Sequence, residues 1–448
     1  MSARAVVLVA LVACRSSAHT EPEPWSDAWL AREAEAYLGS VGSRRASLEA
    51  SLVNHGNIYS KQRLASYGKG TSGWDALPEW NPRSRPLDRA ALAALAAKQW
   101  PELPQARLWD GVRPTDRAGW VALGKRVFFE YPLRAEVGVE HALAPWITNP
   151  GVQAAPAGGE GQGVERTREG AAPGLVAFAD VDGAKRIGIT CAVCHTAVRD
   201  GAIVAGAART HFDLGALRLA YYRDTGAPVD PELAQRMVTW GPGRADVTED
   251  DDEDPVQIPD LWNLRDETHL TQAGTIKHVG PAALALRQET QLLHANALRV
   301  RPPRELAWAL AMYLYSLEPP PARAVADRGA LARGAALFEE HCRSCHTRPD
   351  GGGAPVPVGR VGTDPALANG KARGTGMYRV ANLVRVAEAA PYLHNGSVPS
   401  LEALLSTERL AEGYTGGVRG PGPVRGHAFG TALPAPDRAA LITYLASL

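Results

Sequence analysis

Apolar residues recur at intervals of three and four over much of this chain, a spacing that gathers them on one face of an α-helix. Polar linkers rich in proline and glycine separate these segments. The pattern predicts helices over residues 27–38, 46–52, 88–98, 120–130, 304–317, 329–341 and 436–448. Two short segments, 174–180 and 185–190, flank a turn at 181–183 and predict a β-ribbon. The predicted fold class is therefore mainly α with little β.

A run of three prolines, Pro319 to Pro321, is the best domain boundary in the sequence, because proline cannot continue a helix. We predict one domain over residues 121–318, before the prolines, and another over residues 325–448, after them. Residues 25–120 read as a helical extension packed on the first domain. No chemistry is visible in the extension itself.

Each of the two predicted domains contains one copy of a five-residue motif. The copies are Cys191-Ala192-Val193-Cys194-His195 and Cys342-Arg343-Ser344-Cys345-His346. The spacing C-x-x-C-H is the attachment signature of c-type haem. The two thiols form thioethers with the haem vinyl groups, and the histidine that follows becomes the proximal ligand of the iron. The sequence therefore predicts two cytochrome c-type haem domains with two covalently bound haems, ligated by His195 and His346.

A zinc site or a redox dithiol is the competing interpretation of paired cysteines, since zinc ribbons also combine two C-x-x-C units. The histidine that directly follows both copies argues against it. The N-terminus argues against it too, because it resembles an export signal.

The first residues have the features of a bacterial lipoprotein signal. A short positive start precedes a small apolar core, and Leu11-Val12-Ala13-Cys14 follows, so residues 1–14 are predicted as a signal that ends at a lipidated Cys14. Residues 15–24 then form a tether. The alternative is an ordinary secretory signal cut near Ala18. Both predict the periplasm or cell envelope of a bacterium, with contact to the membrane only through a lipid anchor if Cys14 is lipidated.

Charge and hydropathy exclude some classes of function. The chain has 48 basic and 48 acidic residues, so its balance gives no reason to expect nucleic acid as a partner. No run of about 18 apolar residues follows the signal, so no membrane-spanning helix is predicted. The acidic run at 246–254 is most simply a solvated loop, with a calcium site as the alternative.

The ligand on the other side of each iron decides what the haem does. An occupied sixth position suits electron transfer, whereas a vacant one admits oxygen or peroxide. Downstream of the second motif the candidates are Met377, His394 and His427. Met377 lies in a glycine-flanked loop, although methionine more often fills a core. His427 lies in a loop just before the last helix, from which it can fold back over the haem.

The C-terminal region contains longer recognisable stretches. Residues 361–366, 378–383 and 390–401 resemble the C-terminal haem domain of the bacterial di-haem cytochrome c peroxidase superfamily. The His-Asn-Gly-Ser-Val form at 394–398 and the Gly-His-Ala-Phe-Gly at 426–430 are most similar to the branch that contains the rubber oxygenases. The resemblance implies that His427 is the second axial ligand of the C-terminal haem. It also implies that the N-terminal haem, on His195, is the reactive one.

The distal side of the N-terminal haem is less defined, because this chain lacks the Trp-Asp-Gly-Arg-like segment typical of the superfamily. Glu289 is a candidate that would take a proton from the near oxygen of peroxide and return it to the far one. The alternative for Glu289 is a helix-surface carboxylate. His278 is another distal candidate, and His211 could instead cap the iron in a resting state. Trp262 could relay electrons between the haems or simply be buried.

These features together predict an exported di-haem c-type cytochrome. Electrons would pass through the C-terminal haem to an N-terminal haem that reduces peroxide or activates oxygen, with a small redox protein as electron donor or acceptor. One alternative is a pure electron-transfer cytochrome without turnover. Another is a haem oxygenase that acts on an apolar substrate.

Overall fold

A computed structural model describes residues 22–133, 163–226, 228–246, 252–322 and 324–448. Cys14, most of the predicted tether and part of the acidic run at 246–254 lie outside these residues, so their predicted roles stay predictions. In the described part of the chain, helices predominate over small sheets, as the sequence predicted. None of the helices described is long and apolar enough to cross a membrane.

The helices begin where the sequence supplies a capping side chain. Ser26, Asp88, Asp116 and Asp327 each accept a hydrogen bond from a backbone N–H in the first turn, at 2.7–3.2 Å. Such caps satisfy N–H groups that have no partner within the helix. The helices are α1 (Asp27–Gly39), α2 (Val41–Ser51), α3 (Ile58–Ser66), α4 (Arg89–Ala96), α5 (Arg117–Glu130), α6 (Leu214–Thr225), α7 (Pro231–Trp240), α8 (Pro281–Ala295), α9 (Arg304–Tyr315), α10 (Arg328–His341), α11 (Val358–Val361), α12 (Ala366–Asn369), α13 (Leu401–Leu404) and α14 (Ala435–Leu445).

The spacing of apolar residues in the sequence did not predict helix α8. It begins with Pro281 after Gly280, a common helix start, and most of its residues are buried. A helix that is covered on several sides does not show the apolar stripe from which a surface helix is recognised. Helix α9 is likewise buried from Leu306 to Leu314, in the centre of the larger core.

The strands are short and antiparallel. They are β1 (Ser84–Pro86), β2 (Leu175–Ala179), β3 (Lys185–Ile189), β4 (Thr196–Arg199), β5 (Ala202–Ala205), β6 (Arg244–Ala245), β7 (Val256–Gln257), β8 (His269–Leu270), β9 (Ile276–Lys277), β10 (Val356–Pro357) and β11 (Met377–Tyr378). The predicted ribbon is confirmed as β2 paired with β3. Strand β1 joins it from the helical extension, with Ser84 opposite Phe178, so the sheet has three strands.

The helical extension shares one hydrophobic core with the region that follows it. Side chains from Leu30 to Leu108 belong to the same buried cluster as α5, α8 and α9. Residues 325–448 have a separate core, built from α10, α14 and the loops between them. The exact domain limits at 120 and 318 stay predictions.

Backbone hydrogen bonds join the three regions around residues 371–379. The N–H groups of Ile58 and Tyr59 donate to the carbonyls of Lys371 and Ala372, at 3.0 and 2.9 Å. The Thr275 hydroxyl donates to the Arg373 carbonyl at 3.0 Å. One segment of the C-terminal region therefore contacts both the extension and the first motif's region.

The crossing of α10 and α14 depends on Gly334. A Cβ atom added there would lie 2.1 Å from the carbonyl oxygen of Ala440, a backbone atom that cannot rotate away. At Gly329 on the same helix, an added Cβ would meet only a side-chain oxygen of Asp327, at 3.4 Å. The two helices can therefore approach closely only because position 334 has no side chain.

We expect Gly334→Ala to destabilise the protein by about 1–3 kcal/mol, the usual cost of overpacking a core. The matched substitution Gly329→Ala should be neutral or stabilise it slightly, since alanine favours helix. Thermal and denaturant unfolding of the purified haem-loaded protein measures both. Equal midpoints for the two variants would contradict the close crossing at residue 334.

Candidate functional site: two cavities around the C-x-x-C-H motifs

The second motif follows directly from the end of α10. The N–H of Cys342 still bonds to the Phe338 carbonyl at 2.9 Å, and one tight turn then bonds the His346 N–H to the Cys342 carbonyl at 3.1 Å. This turn brings Cys342, Cys345 and His346 to the wall of one cavity of about 240 Å³. The Nδ1 of His346 hydrogen-bonds to the Gly351 carbonyl, which leaves Nε2 as the atom available to a metal.

His427 lines the same cavity and lies close to His346. Burial lowers the pKa of His427 to about 4, and the positive charge that His346 would carry contributes to this shift. The imidazole is therefore neutral, as a metal ligand must be. Its buried Nδ1 has no hydrogen-bond partner among the described residues.

The loop that carries His427 is held in an unusual backbone conformation. Gly426 and His427 both have positive φ angles, of 82° and 44°. A Cβ on Gly426 would meet the backbone of Thr363 at 2.2 Å. The fully buried Arg409 donates to the carbonyls of Val424 and His427, at 2.6 and 2.8 Å. These contacts fix the backbone of the loop at His427.

The two other predicted candidates for the sixth position differ in placement. His394 lines the cavity, but its Nε2 is 3.0 Å from the Tyr378 hydroxyl and its ring stacks on that tyrosine at 4.0 Å. Met377 lies in β11, paired with Pro357, and is not among the residues that line the cavity. Of the three candidates, His427 and His394 therefore line the cavity and Met377 does not, and the His394 ring is already engaged by Tyr378.

The first motif follows directly from β3. Thr190 accepts a hydrogen bond from the Ala192 N–H at 3.3 Å and starts a tight turn. Cys191, Cys194 and His195 line another cavity, of about 280 Å³, which we call the first cavity after its motif; the cavity at Cys342, Cys345 and His346 is the second cavity. The Nδ1 of His195 lies 3.0 Å from the Pro259 carbonyl, and burial lowers the pKa of His195 to about 4. The Nε2 of His195 is therefore available to a metal, as is the Nε2 of His346 in the second cavity.

One face of α8 forms part of the wall of this first cavity. Leu284, Arg287, Gln288, Gln291 and Ala295 line it, at spacings of one helical turn. The polar residues of this set, Arg287, Gln288 and Gln291, were not predicted as site residues. They adjoin the predicted Glu289, but each residue along a helix turns by about 100°. Only the orientation of the helix tells which of these neighbours faces the cavity.

Glu289 points away from the cavity into the core between α8 and the extension. Its Oε2 accepts hydrogen bonds from the hydroxyls of Tyr37 and Tyr67, at 2.7 and 2.5 Å, and Arg304 lies 3.4 Å from Oε1. Glu289 is 1% exposed, so it is not a helix-surface residue either. Its contacts favour a structural role, and the predicted role in proton transfer is untested.

The other predicted distal residues also lie outside the wall of the first cavity. Both ring nitrogens of His278 are engaged, Nδ1 with the Glu267 carbonyl at 2.8 Å and Nε2 with the Tyr315 hydroxyl at 2.5 Å. His211 is exposed. Trp262 is buried and donates from Nε1 to the Ala205 carbonyl at 3.2 Å. Among the described residues, His195 is the one histidine that lines this cavity.

The two cavities share one wall. Residues that line both are Gln257, Pro259, Asp260, Gln272 and Arg379. Gln272 donates from Nε2 to the Gln257 carbonyl at 3.2 Å and accepts from the Arg379 N–H at 2.9 Å. Asp260 is almost completely buried, and burial raises its pKa to about 7.

Glu267 fixes the C-terminal side of this wall. Its fully buried carboxylate pairs with Arg379 at 3.1 Å and accepts from the Asn382 side chain at 2.9 Å. Arg348, in the C-terminal region, lies 3.7 Å away. A buried carboxylate of the first region is thus neutralised by groups of the second, which ties the two cavities to each other.

Both cavities fit a covalently attached haem. Each combines two cysteines that form no disulfide and a histidine oriented through a backbone carbonyl, within a wall that is largely apolar. Burial raises the pKa of Cys191 to about 12 and that of Cys342 to about 11, so these thiols are protonated. The described residues contain no group of three or more His, Cys, Asp or Glu side chains that could hold a metal ion. A zinc site shared by both motifs would need the four cysteines together, whereas each pair lines its own cavity.

Comparisons with known proteins bear on the C-terminal region. Residues 378–414 match the family described as RoxA-like, cytochrome c-like, and residues 329–393 match cytochrome c oxidase, cbb3-type, subunit III. The predicted resemblance is thus confirmed there. The region contains a cytochrome c-like domain, which implies covalently bound c-type haem. A comparison with curated proteins finds no match.

One similar solved structure is titled "Crystal structure of a MauG-like protein associated with microbial copper homeostasis". It is 19% identical over 32% of this chain and 56% of that chain, with a TM-score of 0.24. The match thus spans about half the length of that chain. A similarity of this extent carries no argument about the fold or the function.

We expect Glu289→Ala to destabilise the protein by about 2–4 kcal/mol, because two buried tyrosine hydroxyls lose their acceptor, while Arg304 keeps its ion pair with Asp75. Tyr37→Phe removes one hydrogen bond to the same carboxylate and should cost about 1 kcal/mol. Denaturant unfolding of the haem-loaded protein measures both. If Glu289→Ala leaves stability unchanged but abolishes peroxide turnover, the sequence-based role is right and the structural one is wrong.

Proposed function

We propose that this protein is a di-haem c-type cytochrome with one closed and one open iron. In this proposal His346 and His427 would hold the C-terminal haem, which would supply electron relay, and His195 would hold the N-terminal haem, which would supply the reaction with peroxide or oxygen. One observation carries the proposal. Three histidines besides His346 line the second cavity, namely His341, His394 and His427, whereas His195 is the one histidine that lines the first cavity in the described part of the chain.

The second cavity suits electron relay. When bound, haem supplies an iron that cycles between two oxidation states and can take two axial protein ligands. Burial lowers the pKa of both His346 and His427, and Arg409 donates a hydrogen bond to the backbone of the loop that carries His427. A rigid pair of ligands needs little rearrangement when an electron arrives or leaves.

The first cavity suits binding of a small oxygen species. Its wall is mostly apolar, so water is largely excluded, and its polar side chains on α8 are Arg287, Gln288 and Gln291. The amides of Gln288 and Gln291 can donate hydrogen bonds to a bound peroxide without being charged. The predicted proton transfer by Glu289 is a different role and stays a prediction.

The shared wall supports transfer of electrons between the two sites. The carbonyl of Pro259 lies against His195, while the N–H of Gln257 donates to the His394 carbonyl at 2.9 Å. Two residues of the shared wall thus each contact a histidine. Pro259 contacts His195 of the first cavity, and Gln257 contacts His394 of the second. The two cavities are thus separated only by the residues of the shared wall.

The proposed location is the periplasm or cell envelope of a bacterium, where haem is attached to exported thiols. The protein would be held at the membrane by lipid on Cys14, and a small redox protein would donate or accept electrons. The N-terminal sequence and the haem motifs support this part of the proposal.

We expect His427→Ala to convert one haem from low-spin to high-spin, because it removes the proposed sixth ligand. Met377→Ala is the matched control and should leave the spectrum unchanged, since that side chain lies in β11 away from the cavity. Optical and EPR spectra of the oxidised and reduced proteins report the spin state. A spectral change in Met377→Ala alone would give the ligand role to Met377.

We expect peroxide to change the spectrum of the half-reduced protein, because the N-terminal iron is proposed to have a vacant position. Gln288→Leu together with Gln291→Leu should slow this change by about 100–1000-fold, the size typical when a hydrogen-bond donor to the transition state is removed. Stopped-flow absorbance measures the rate. Two haems that stay low-spin in every redox state, with no response to peroxide, would support the pure electron carrier instead.

An oxygenase that acts on an apolar substrate is the remaining alternative. The same stopped-flow experiment with oxygen, in the presence and absence of an alkene, distinguishes it. Oxygen consumption that depends on the alkene would favour this alternative over peroxide reduction.

A further inference from the structure

His278 and Tyr315 form a hydrogen-bonded pair outside both cavities. The Nδ1 of His278 lies 2.8 Å from the Glu267 carbonyl, an oxygen that can only accept a hydrogen bond. Nδ1 therefore carries the ring proton, and Nε2 offers a lone pair. The Tyr315 hydroxyl lies 2.5 Å from Nε2 and donates to it. Burial lowers the pKa of His278, so the ring is neutral at pH 7 and can take a proton.

A tyrosine bonded to a neutral base in this way can give up an electron. The cation of a phenol is a very strong acid, so a tyrosine loses an electron readily only if its hydroxyl proton leaves at the same time. A base within hydrogen-bond reach accepts that proton. Burial raises the pKa of Tyr315 well above its usual value, so the hydroxyl keeps its proton until an electron leaves.

Other tyrosine hydroxyls are bonded to groups that take a proton less readily. Those of Tyr131, Tyr378 and Tyr392 donate to backbone carbonyls. Tyr378 also lies 3.0 Å from Nε2 of His394, but its hydroxyl donates to the Asp364 carbonyl at 2.6 Å. The two tyrosines at Glu289 donate to a carboxylate that the Arg304 charge stabilises, which makes it a weak base. Among these tyrosines, only Tyr315 donates its proton to a neutral imidazole.

The pair adjoins the wall of the first cavity from two sides. Leu314 precedes Tyr315 in α9 and lines that cavity. The carbonyl that holds His278 belongs to Glu267, and the carboxylate of Glu267 pairs with Arg379 of the shared wall at 3.1 Å. Covalent bonds and hydrogen bonds thus connect the pair to the cavity wall without a break, and such a path suits the passage of an electron.

An aromatic residue of the helical extension covers Tyr315. The ring centre of Trp25 lies 4.9 Å from that of Tyr315, edge to face, and Trp25 is partly exposed. The guanidinium of Arg265 lies 4.7 Å from the centre of the Trp25 ring. A cation at this position opposes the loss of an electron from the indole. An oxidised Tyr315 would therefore not be reduced by Trp25.

We propose that Tyr315 is a redox-active tyrosine, which gives an electron to the N-terminal haem site during peroxide reduction and passes its hydroxyl proton to His278. The inference rests on the proposed function, which supplies peroxide as the oxidant. It also gives the start of the helical extension a role, since Trp25 shields the pair from solvent.

The electrons and protons of this step balance. Reduction of peroxide to two waters takes two electrons and two protons, and the half-reduced protein holds one electron on the C-terminal haem. Tyr315 gives the other electron. Its O–H bond breaks, and the proton moves to Nε2 of His278, so a neutral tyrosyl radical and an imidazolium remain. A later electron from the C-terminal haem, together with the same proton, restores the hydroxyl.

The test mixes the half-reduced, haem-loaded protein with hydrogen peroxide, freezes it rapidly and records the EPR spectrum. We expect a tyrosyl radical, with a signal that narrows when the protein carries ring-deuterated tyrosine and does not change with ring-deuterated tryptophan. Tyr315→Phe should abolish the signal, because it removes the hydroxyl. His278→Gln keeps a hydrogen-bond acceptor but removes the base, so the radical should form about 100-fold more slowly, as expected for loss of a positioned proton acceptor.

Tyr131→Phe is the matched control, because it removes a buried hydroxyl that donates to a carbonyl, at 3.2 Å. It should leave the radical unchanged. A radical of undiminished size in Tyr315→Phe would overturn the inference, and so would a signal in the unmodified protein that does not respond to deuterated tyrosine. If Tyr315→Phe fails to fold, His278→Gln decides, since radical formation at the normal rate in that variant would also overturn it.

The haem absorbance recorded in the same mixing experiment separates this inference from the proposed function. A haem spectrum that responds to peroxide without a tyrosyl radical would leave the proposed function intact and reject only the redox role of Tyr315. A haem spectrum that does not respond to peroxide would reject the proposed function. The inference would then be rejected with it, because its oxidant would be missing.

Discussion

The wall between the two cavities is the constraint on which the rest of the site depends. It is one layer thick, and it contributes to both cavities at once through Gln257, Pro259, Asp260, Gln272 and Arg379. The buried carboxylate of Glu267 is neutralised by Arg379 of the C-terminal region. Separating the two regions would therefore leave the Glu267 charge without its partner. The geometry of one cavity is therefore not independent of the other.

The histidines of the two motifs have the same hydrogen-bond arrangement. Each has its Nδ1 against a backbone carbonyl, of Pro259 for His195 and of Gly351 for His346, and burial lowers the pKa of both. The two sites differ on their opposite sides. Arg409 and the strained Gly426–His427 turn place an imidazole in one cavity, whereas α8 presents amides and an arginine to the other.

The helical extension changes in significance once its contacts are known. Its sequence carries no recognisable chemistry, yet it supplies β1 to the sheet that precedes the first motif, and Tyr37 and Tyr67 to Glu289. It also places Tyr59 against Arg373. A segment can thus support a reactive site without lining it, by filling the space behind the residues that do.

The sequence by itself determined the two C-x-x-C-H motifs, the mainly helical class, the β2–β3 ribbon and the C-terminal resemblance, because each depends on residues adjacent in the chain. Only the tertiary structure decided which side chains face the cavities. Helix phase turned Glu289 to the core and its neighbours Gln288 and Gln291 to the cavity wall, and chain folding brought His427 near His346 but left Met377 aside. Such choices depend on how distant segments pack, and a local pattern does not contain that information.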